Sequence, residues 1–565
     1  MNYKKITVAS HLVNRLSEIG IKHIFGVPGD YNLEFLDYII AHPKVTWVGN
    51  TNELNAAYAA DGYARQSGAA ALLTTYGVGE LSAINGIAGA YAEHVPILHI
   101  VGSPLDQSEW GGELLHHTLG DGIFDHFITC AKQVTIAQTK LTSENAIVEI
   151  DRVLDAMLLE KRPAYIELPL SVVHSEIQGR ISPYQPKEAV INTQVFEVFT
   201  QQLTSLLKDA VRPILLAGFL VESFGLKNSV RSLIKRSNIP NASLFMGKGI
   251  LDETLDSYVG NYSGSSSDYK VLHALEHSDL IISLGVKYTD NITAGFSSLP
   301  NPDILIDFQT DFVTIKGKKY SGIPLKTSIN LLLRLISHRQ WEPLHFDIEH
   351  IVPPTQLEFS ETLLTQKIFW QAVQSFLRDG DCMIAEQGTS FFGSAALKIG
   401  PNTSYIGQPL WGSIGYTLPA TYGAMTAQPT RRTLLFIGDG SALLTLQELS
   451  SILRDALHPI IFLINNHGYT VERAIHGKQQ RYNDIPTIDW QHLPASLGPG
   501  EEVKTYNVYN SKQLMSAFDD ANKSNVLRLI EIHLDAMDLP PQLRAVSERI
   551  MAKNANAIAV QTQKN

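Results

Sequence analysis

The residues with the most chemical content lie in the last third of the chain. There Gly438-Asp439-Gly440-Ser441 follows the apolar run TLLFI, and Asn465-Asn466-His467-Gly468 follows PIIFLI. About two dozen residues separate Gly440 from Asn465, enough for one helical crossover that sets two parallel strand ends side by side. The arrangement suits a diphosphate chelating a divalent cation such as Mg2+. Glycines let backbone N–H groups approach phosphate at a helix N-terminus, and Asp439, Asn466 and the Gly468 carbonyl are hard oxygen ligands. Either half alone reads equally well as an ordinary turn; both at crossover spacing favour the phosphate reading.

Other candidates have bland alternatives. Glu53, in TNELNAAYAADGYAR, opens an expected helix, where the helix dipole favours any acidic residue. Asp30 follows Pro28-Gly29 as a turn aspartate would, and His116-His117 in LLHHT is by itself a solvated pair. Glu472 in GYTVE is a helix-face charge that Arg473 would neutralise. Thr389 and Ser390 in GTS would serve as phosphate contacts, as helix N-caps, or as both. Zinc is disfavoured, because no HExxH and no cysteine cluster accompanies the histidines. Neither GVGELS at 77–82 nor AGFLVESFG at 217–225 makes a GxGxxG loop, and there is no GxxxxGK[ST].

The elements that must carry these residues are short β-rich runs between helical stretches: HIFGV, VTWVG, AALLTT, ILHIVGSP and AYIELP, then PILLAG, DLIISLG and ILIDF, then CMIAEQG, TLLFIGDG, PIIFLINN and RLIEIHL. Runs apolar on both faces are expected of parallel strands covered by helices, so the class is α/β with three open parallel-sheet domains. Many runs end in Gly, Asp or Asn, at the strand ends where such sheets bind ligands. Pro-containing stretches at 174–193 and 337–360 act as linkers, giving domains at 1–180, 190–340 and 355–550 and a tail at 551–565. The small-residue helices around Ala56–Ala64 and Ile84–Ala92 must pack closely on a sheet or another subunit. The first and last thirds read as possible copies of one architecture.

Composition narrows the function. The chain has 565 residues, 45 Lys+Arg against 56 Asp+Glu, a net charge of −11 and no basic stripe, which argues against nucleic acid. With 44% hydrophobic and 18% charged residues it is globular. Its apolar runs are strand-sized, so no membrane span is expected. Two cysteines, Cys130 and Cys382, and no signal-peptide core suggest a cytoplasmic protein.

The GDG and NN pair resembles the thiamine diphosphate signature, and further segments extend the likeness over nearly the whole chain. They are FGVPGDYNLEFLD at 25–37, ELNAAYAADGYAR at 53–65, TTYGVGELSAINGIAGAYAEHVPILHIVGSP at 74–104, LLHHTLGDG at 114–122, AEQGTSFFG at 385–393, QPLWGSIGYTLPA at 408–420 and NNHGYTVERAIHG at 465–477. Together they resemble the bacterial 2-oxo acid decarboxylases that act on pyruvate, indolepyruvate, phenylpyruvate or branched-chain 2-oxo acids. The resemblance implies pyrimidine-binding, middle and diphosphate-binding domains, with thiamine diphosphate and Mg2+ held between two subunits of at least a homodimer and by analogy a homotetramer. The reaction it implies is non-oxidative decarboxylation to an aldehyde through an enamine of the cofactor. Mg2+ would be held by Asp439, Asn466 and Gly468, and the diphosphate by Thr389, Ser390, Gly440, Ser441 and the Asn466 loop. Ile414 would wedge the cofactor, with Gly412 and Ile414 backbone groups on the pyrimidine. Glu53, buried and with a raised pKa, would share a proton with the pyrimidine ring, and Asp30, His116, His117 and Glu472 would move protons near the substrate.

Specificity would rest on a few side chains. By the same resemblance, Gln387 and Val471 suit larger substrates than the threonine and isoleucine of pyruvate-preferring members, and Val546 and Ile550 would complete the wall. Phe391 and Phe392 act the other way by filling space. The expectation is a branched or aromatic 2-oxo acid, with pyruvate second and an acyloin-forming carboligase third. The stretch 188–339 has no cysteine for substrate activation and nothing that reads as an FAD or NAD site.

Overall fold

The computed structural model describes residues 6–177, 182–342, 344, 360–500 and 502–562. Most of the expected second linker, and 178–181 of the first, lie outside these residues. All the runs named above form strands, in three sheets. The N-terminal sheet is parallel throughout. It runs Thr46–Gly49, His23–Gly26, Ala70–Thr75, Ile97–Ser103, Ala164–Pro169, Gln138–Lys140. The C-terminal sheet is also parallel, in the order Ser404–Ile406, Cys382–Ala385, Thr433–Gly438, Ile460–Asn465, Leu527–His533, Val503–Val508. In both, the domain's second strand lies at one edge, followed by the first, third, fourth, sixth and fifth. The outer thirds are therefore two copies of one topology. Their central strands, such as Ala70–Thr75 and Ile460–Asn465, are buried at every position, which is why they lack alternation.

The middle sheet departs from the all-parallel expectation. Its first five strands are parallel, but Phe312–Ile315 and Lys318–Ser321 continue it antiparallel. Lys316 and Gly317, at φ 47° and 79°, form a two-residue turn, too short for a crossover and with the positive dihedrals of a tight hairpin. The chain also has no break at 550, because one helix runs from Pro541 to Thr562.

Seven helices position the site: α1 (Glu53–Ser67), α2 (Val78–Ala92), α3 (Thr389–Ser394), α4 (Thr417–Ala427), α5 (Asp439–Thr445), α6 (Thr470–Ile475) and α7 (Pro541–Thr562). The small residues of α1 and α4 allow these helices to cross almost backbone to backbone. A Cβ on Gly62 would stand 2.1 Å from the Ala420 carbonyl oxygen, and one on Gly423 would stand 1.7 Å from that of Ala59. Around this crossing one apolar core, including Phe25, Tyr58, Tyr422, Leu435 and Ile437, runs through both outer domains. Beside it, within the N-terminal domain, Arg65 of α1 bridges buried Asp61 and Glu93 at 2.6 and 2.8 Å. No described helix is long and apolar enough to cross a membrane.

Candidate active site

A cavity of about 350 Å3 opens at the carboxyl ends of strands Cys382–Ala385, Thr433–Gly438 and Ile460–Asn465. Adjacent strands there lead to different helices, as in the ligand crevice of an open α/β sheet. Asp439 lies in its wall, 2% exposed. Its Oδ1 accepts from Gly440 N at 2.8 Å and its Oδ2 from Gly468 N at 3.2 Å. Burial pushes this carboxyl up to about 6, against 3.8 in water. Asn466, also in the wall, holds its Oδ1 buried with no hydrogen-bond partner, and the Ser390 hydroxyl is orphaned in the same way. A buried carboxylate and an orphaned amide oxygen fit a hard divalent cation, and an orphaned hydroxyl beside helix N-termini fits a diphosphate.

Local backbone geometry explains the glycines. A Cβ on Gly468, which has φ 131°, would stand 2.1 Å from the Asn483 carbonyl oxygen, and one on Gly440 would strike the Tyr469 ring at 2.6 Å. Gly388, at φ 124°, is the N-cap of α3, so Thr389 and Ser390 are first-turn residues instead of caps. Arg473 turns away from Glu472 to bind the His467 carbonyl at 2.7 Å and Asp484 at 3.0 Å. Glu472 is left exposed on the cavity wall, so neutralisation by Arg473 does not explain it.

The N-terminal sheet carries a second cluster, again beyond its carboxyl strand ends. Asp30 follows His23–Gly26, Glu53 follows Thr46–Gly49, and the histidine loop follows Ile97–Ser103. His116 Nε2 is hydrogen-bonded to Asp30 Oδ2 at 2.6 Å, and its ring stacks on Tyr31 at 5.0 Å. His117 Nδ1 lies 3.9 Å from Asp30 Oδ1. Gly77 admits the histidine loop, since a Cβ there would stand 1.9 Å from the His117 carbonyl oxygen. Glu53 Oε1 is 3.3 Å from where Gly79 would carry a Cβ. Asn52 caps α1 by accepting from Asn55 N, so Glu53 is free of that task. Glu53 is half-buried among the described residues, not buried as expected.

The second cluster does not line the cavity: Asp30, Glu53, His116 and His117 are all absent from its wall. Thr389, Ser390, Gly412, Ile414, Asp439, Gly440, Ser441, Asn466, Gly468 and Glu472 all belong to it, as do the specificity candidates Gln387 and Val471. The remaining specificity candidates, Phe391, Phe392, Val546 and Ile550, are not in the wall. They belong to an adjoining apolar core, where both phenylalanines pack edge-on against Phe245. This corrects the expectation that the two rings fill the cavity.

Comparison with known proteins adds an independent line. Residues 6–125 match the family described as thiamine pyrophosphate enzyme, N-terminal TPP binding domain; 200–336 match its central domain, and 388–532 its C-terminal TPP binding domain. An alpha-keto-acid decarboxylase of Mycobacterium avium (strain 104) is 41% identical over 94% of this chain and 95% of its own length. The protein of the same name from Mycobacterium leprae is 39% identical over 97% and 96%. The chain belongs to the thiamine diphosphate-dependent 2-oxo acid decarboxylases.

The decarboxylase's cavity loop is braced by residues that lie inside the quoted segments but carry no role in the sequence reading. Glu386, 1% exposed, accepts from the Thr417 hydroxyl at 2.6 Å and from Thr417 N at 3.2 Å, bracing the loop that carries Gly412 and Ile414. Burial raises its carboxyl to about 7. The N-terminal domain supports that loop from its other side. The Tyr58 hydroxyl meets Ser413, Asn85 Nδ2 donates to Ser413 at 3.2 Å, and Trp411 Nε1 donates to Asn85 at 2.9 Å. The small-residue helices α1 and α2 thus hold the decarboxylase's own C-terminal loop. Their alanines and glycines signal close packing in the sequence but not its partner.

Proposed function

We propose that this decarboxylase converts a branched or aromatic 2-oxo acid to the aldehyde and carbon dioxide, with each active centre completed across two copies of the chain. The observation that carries the substrate assignment is the cavity wall. Gln387 and Val471 are in it, while Phe391 and Phe392 are drawn into the neighbouring core and leave its volume open. The two-chain centre is supported by the separation of the two clusters. It is further supported by apolar side chains of the histidine loop that stay exposed among the described residues: Trp110 is 81% exposed and Leu114 73%.

In this reading Asp439, Asn466 Oδ1 and the Gly468 carbonyl hold Mg2+. Thr389, Ser390, Gly440 and Ser441 hold the diphosphate at the N-termini of α3 and α5. The bound cofactor supplies the electron sink into which the bond to carbon dioxide breaks. Ile414, with the Gly412 and Ile414 backbone, orients the pyrimidine end. Glu53 holds and returns a proton at its carboxylate oxygen. The His116–Asp30 pair, joined at 2.6 Å, holds a proton for the carbon that becomes the aldehyde, with His117 beside it. Glu472 contributes a carboxylate from the opposite, cavity side.

Two measurements test the proposal. Turnover of a panel of 2-oxo acids should give the highest kcat/KM for branched or aromatic members, and a clear preference for pyruvate would refute the substrate assignment. Glu53→Gln and Asp439→Ala should each lose most of the activity. After dissociation and mixing they should regain about a quarter of wild-type activity, because a mixed dimer holds one intact centre of two. No recovery from mixed dimers would refute the two-chain centre.

A further inference from the structure

Glu448 lies just beyond α5, in the C-terminal domain, and is 0% exposed. Its carboxylate reaches across the domain boundary into the loop between strand Thr46–Gly49 and α1. Oε1 accepts from Asn50 Nδ2 at 2.8 Å. Oε2 accepts from the Thr51 hydroxyl at 2.7 Å, from Asn55 Nδ2 at 2.9 Å and from Thr51 N at 3.4 Å. Every one of these donors lies within three residues of Glu53. A neighbouring residue reinforces the grip, since Arg454 donates to the Gly49 carbonyl at 3.0 Å.

The loop's other ties are local and polar: Asn50 N donates to the Gly26 carbonyl at 3.0 Å, Asn50 Oδ1 accepts from Gly26 N at 3.3 Å, and Asn52 caps α1. Thr51 is exposed, and Asn50, Asn52 and Glu53 are half-buried, so no apolar side chain from 50 to 53 anchors it in a core. Burying a carboxylate against neutral donors is a costly way to join two domains that already share an apolar core. What the carboxylate adds is direction, because a hydrogen-bond cluster sets position and angle where apolar packing is loose. We infer that Glu448 is a positioning residue for catalysis, fixing the loop from which Glu53 projects towards the cofactor. The inference rests on the assignment of Glu53 made above. Glu448 itself touches neither cavity nor substrate.

The test uses the full-length enzyme loaded with thiamine diphosphate and Mg2+. Glu448→Gln keeps the size of the side chain but turns an amide towards donors. It should lower kcat about tenfold or more, since misplacement by an ångström is expensive in rate, while KM and cofactor affinity stay within about threefold. Hydrogen–deuterium exchange at the reactive carbon of the bound cofactor, followed by NMR, should slow by a similar factor. In a Glu53→Gln background the added Glu448→Gln should change neither quantity further, because the residue acts through Glu53. Should Glu448→Gln fail to fold, Thr51→Val removes one donor at an exposed position and should shift exchange and kcat in the same direction by a smaller factor. A lowered melting temperature with unchanged exchange and unchanged kcat per loaded centre would overturn the inference, as would multiplicative effects of the two substitutions. Normal exchange in Glu53→Gln alone would instead overturn the assignment of Glu53.

Discussion

Replacing Gly423 with alanine tests whether the crossing of α1 and α4 sets catalytic geometry. The added methyl carbon would lie 1.7 Å from the Ala59 carbonyl oxygen, 2.6 Å from its carbon and 2.9 Å from Tyr63 N, all backbone atoms that no rotamer change can remove. Relief therefore requires the helices to part by about 1.3 Å or more, since a Cβ closer than roughly 3 Å to another heavy atom is not tolerated. Overpacking of this kind costs about 1–3 kcal/mol, and a backbone-to-backbone contact belongs at the upper end. Glu53 begins the same helix, roughly 9 Å along its axis from Ala59. A displacement of α1 by an ångström at Ala59 thus carries the proposed proton-transfer residue with it, at a cost of about a hundredfold in rate. Thermal unfolding and steady-state turnover at saturating cofactor should show both a melting temperature lowered by several degrees and a kcat reduced by one to two orders of magnitude. A variant with wild-type kcat would refute the link between crossing and catalysis, even if its stability fell.

Three further outcomes are expected. Asn466→Ala should weaken cofactor binding about a hundredfold in the presence of Mg2+, read by calorimetry, because it removes the orphaned buried oxygen; unchanged affinity would exclude it as a ligand. Asp439 must ionise to bind a cation, and with its carboxyl at about 6 the apparent Mg2+ affinity should fall nearly tenfold per pH unit below that value. A carboxyl near 3.8 would leave affinity flat to pH 5, and that flat profile would contradict the burial argument. Finally, Val471→Ile with Gln387→Thr should favour pyruvate over a branched substrate by about 10–200-fold in kcat/KM, the range set by one methylene in a pocket.

Much of the fold is legible in one dimension. Strands such as AALLTT and PIIFLI are central and buried on both faces, so their composition alone marks them. Three of the strands missed, Gln138–Lys140, Ser404–Ile406 and Val503–Val508, lie at sheet edges, where partial exposure removes the apolar signal; Asn241–Leu244 is interior and buried, but Asn241 and Ser243 interrupt its apolar run. The antiparallel end of the middle sheet turns on the dihedrals of Lys316 and Gly317, which composition only hints at.

For the site, sequence alone determined the chemistry. Asp439 and Asn466 stand one crossover apart, and the spacing of residues along a β-α-β unit dictates which atoms become neighbours. It also singled out Asp30, Glu53, His116 and His117 as a proposed catalytic group, through the likeness to a family. Tertiary structure decided what no local spacing encodes. The two clusters lie beyond two different sheets, Phe391 and Phe392 turn into a core beside the cavity, and Glu386 and Glu448 bury carboxyl groups against loops distant in sequence. Glu448 meets Asn50, Thr51 and Asn55 only because two similar sheets dock through α1 and α4. A contact of that kind arises from packing between domains, and packing depends on the shapes of both partners together.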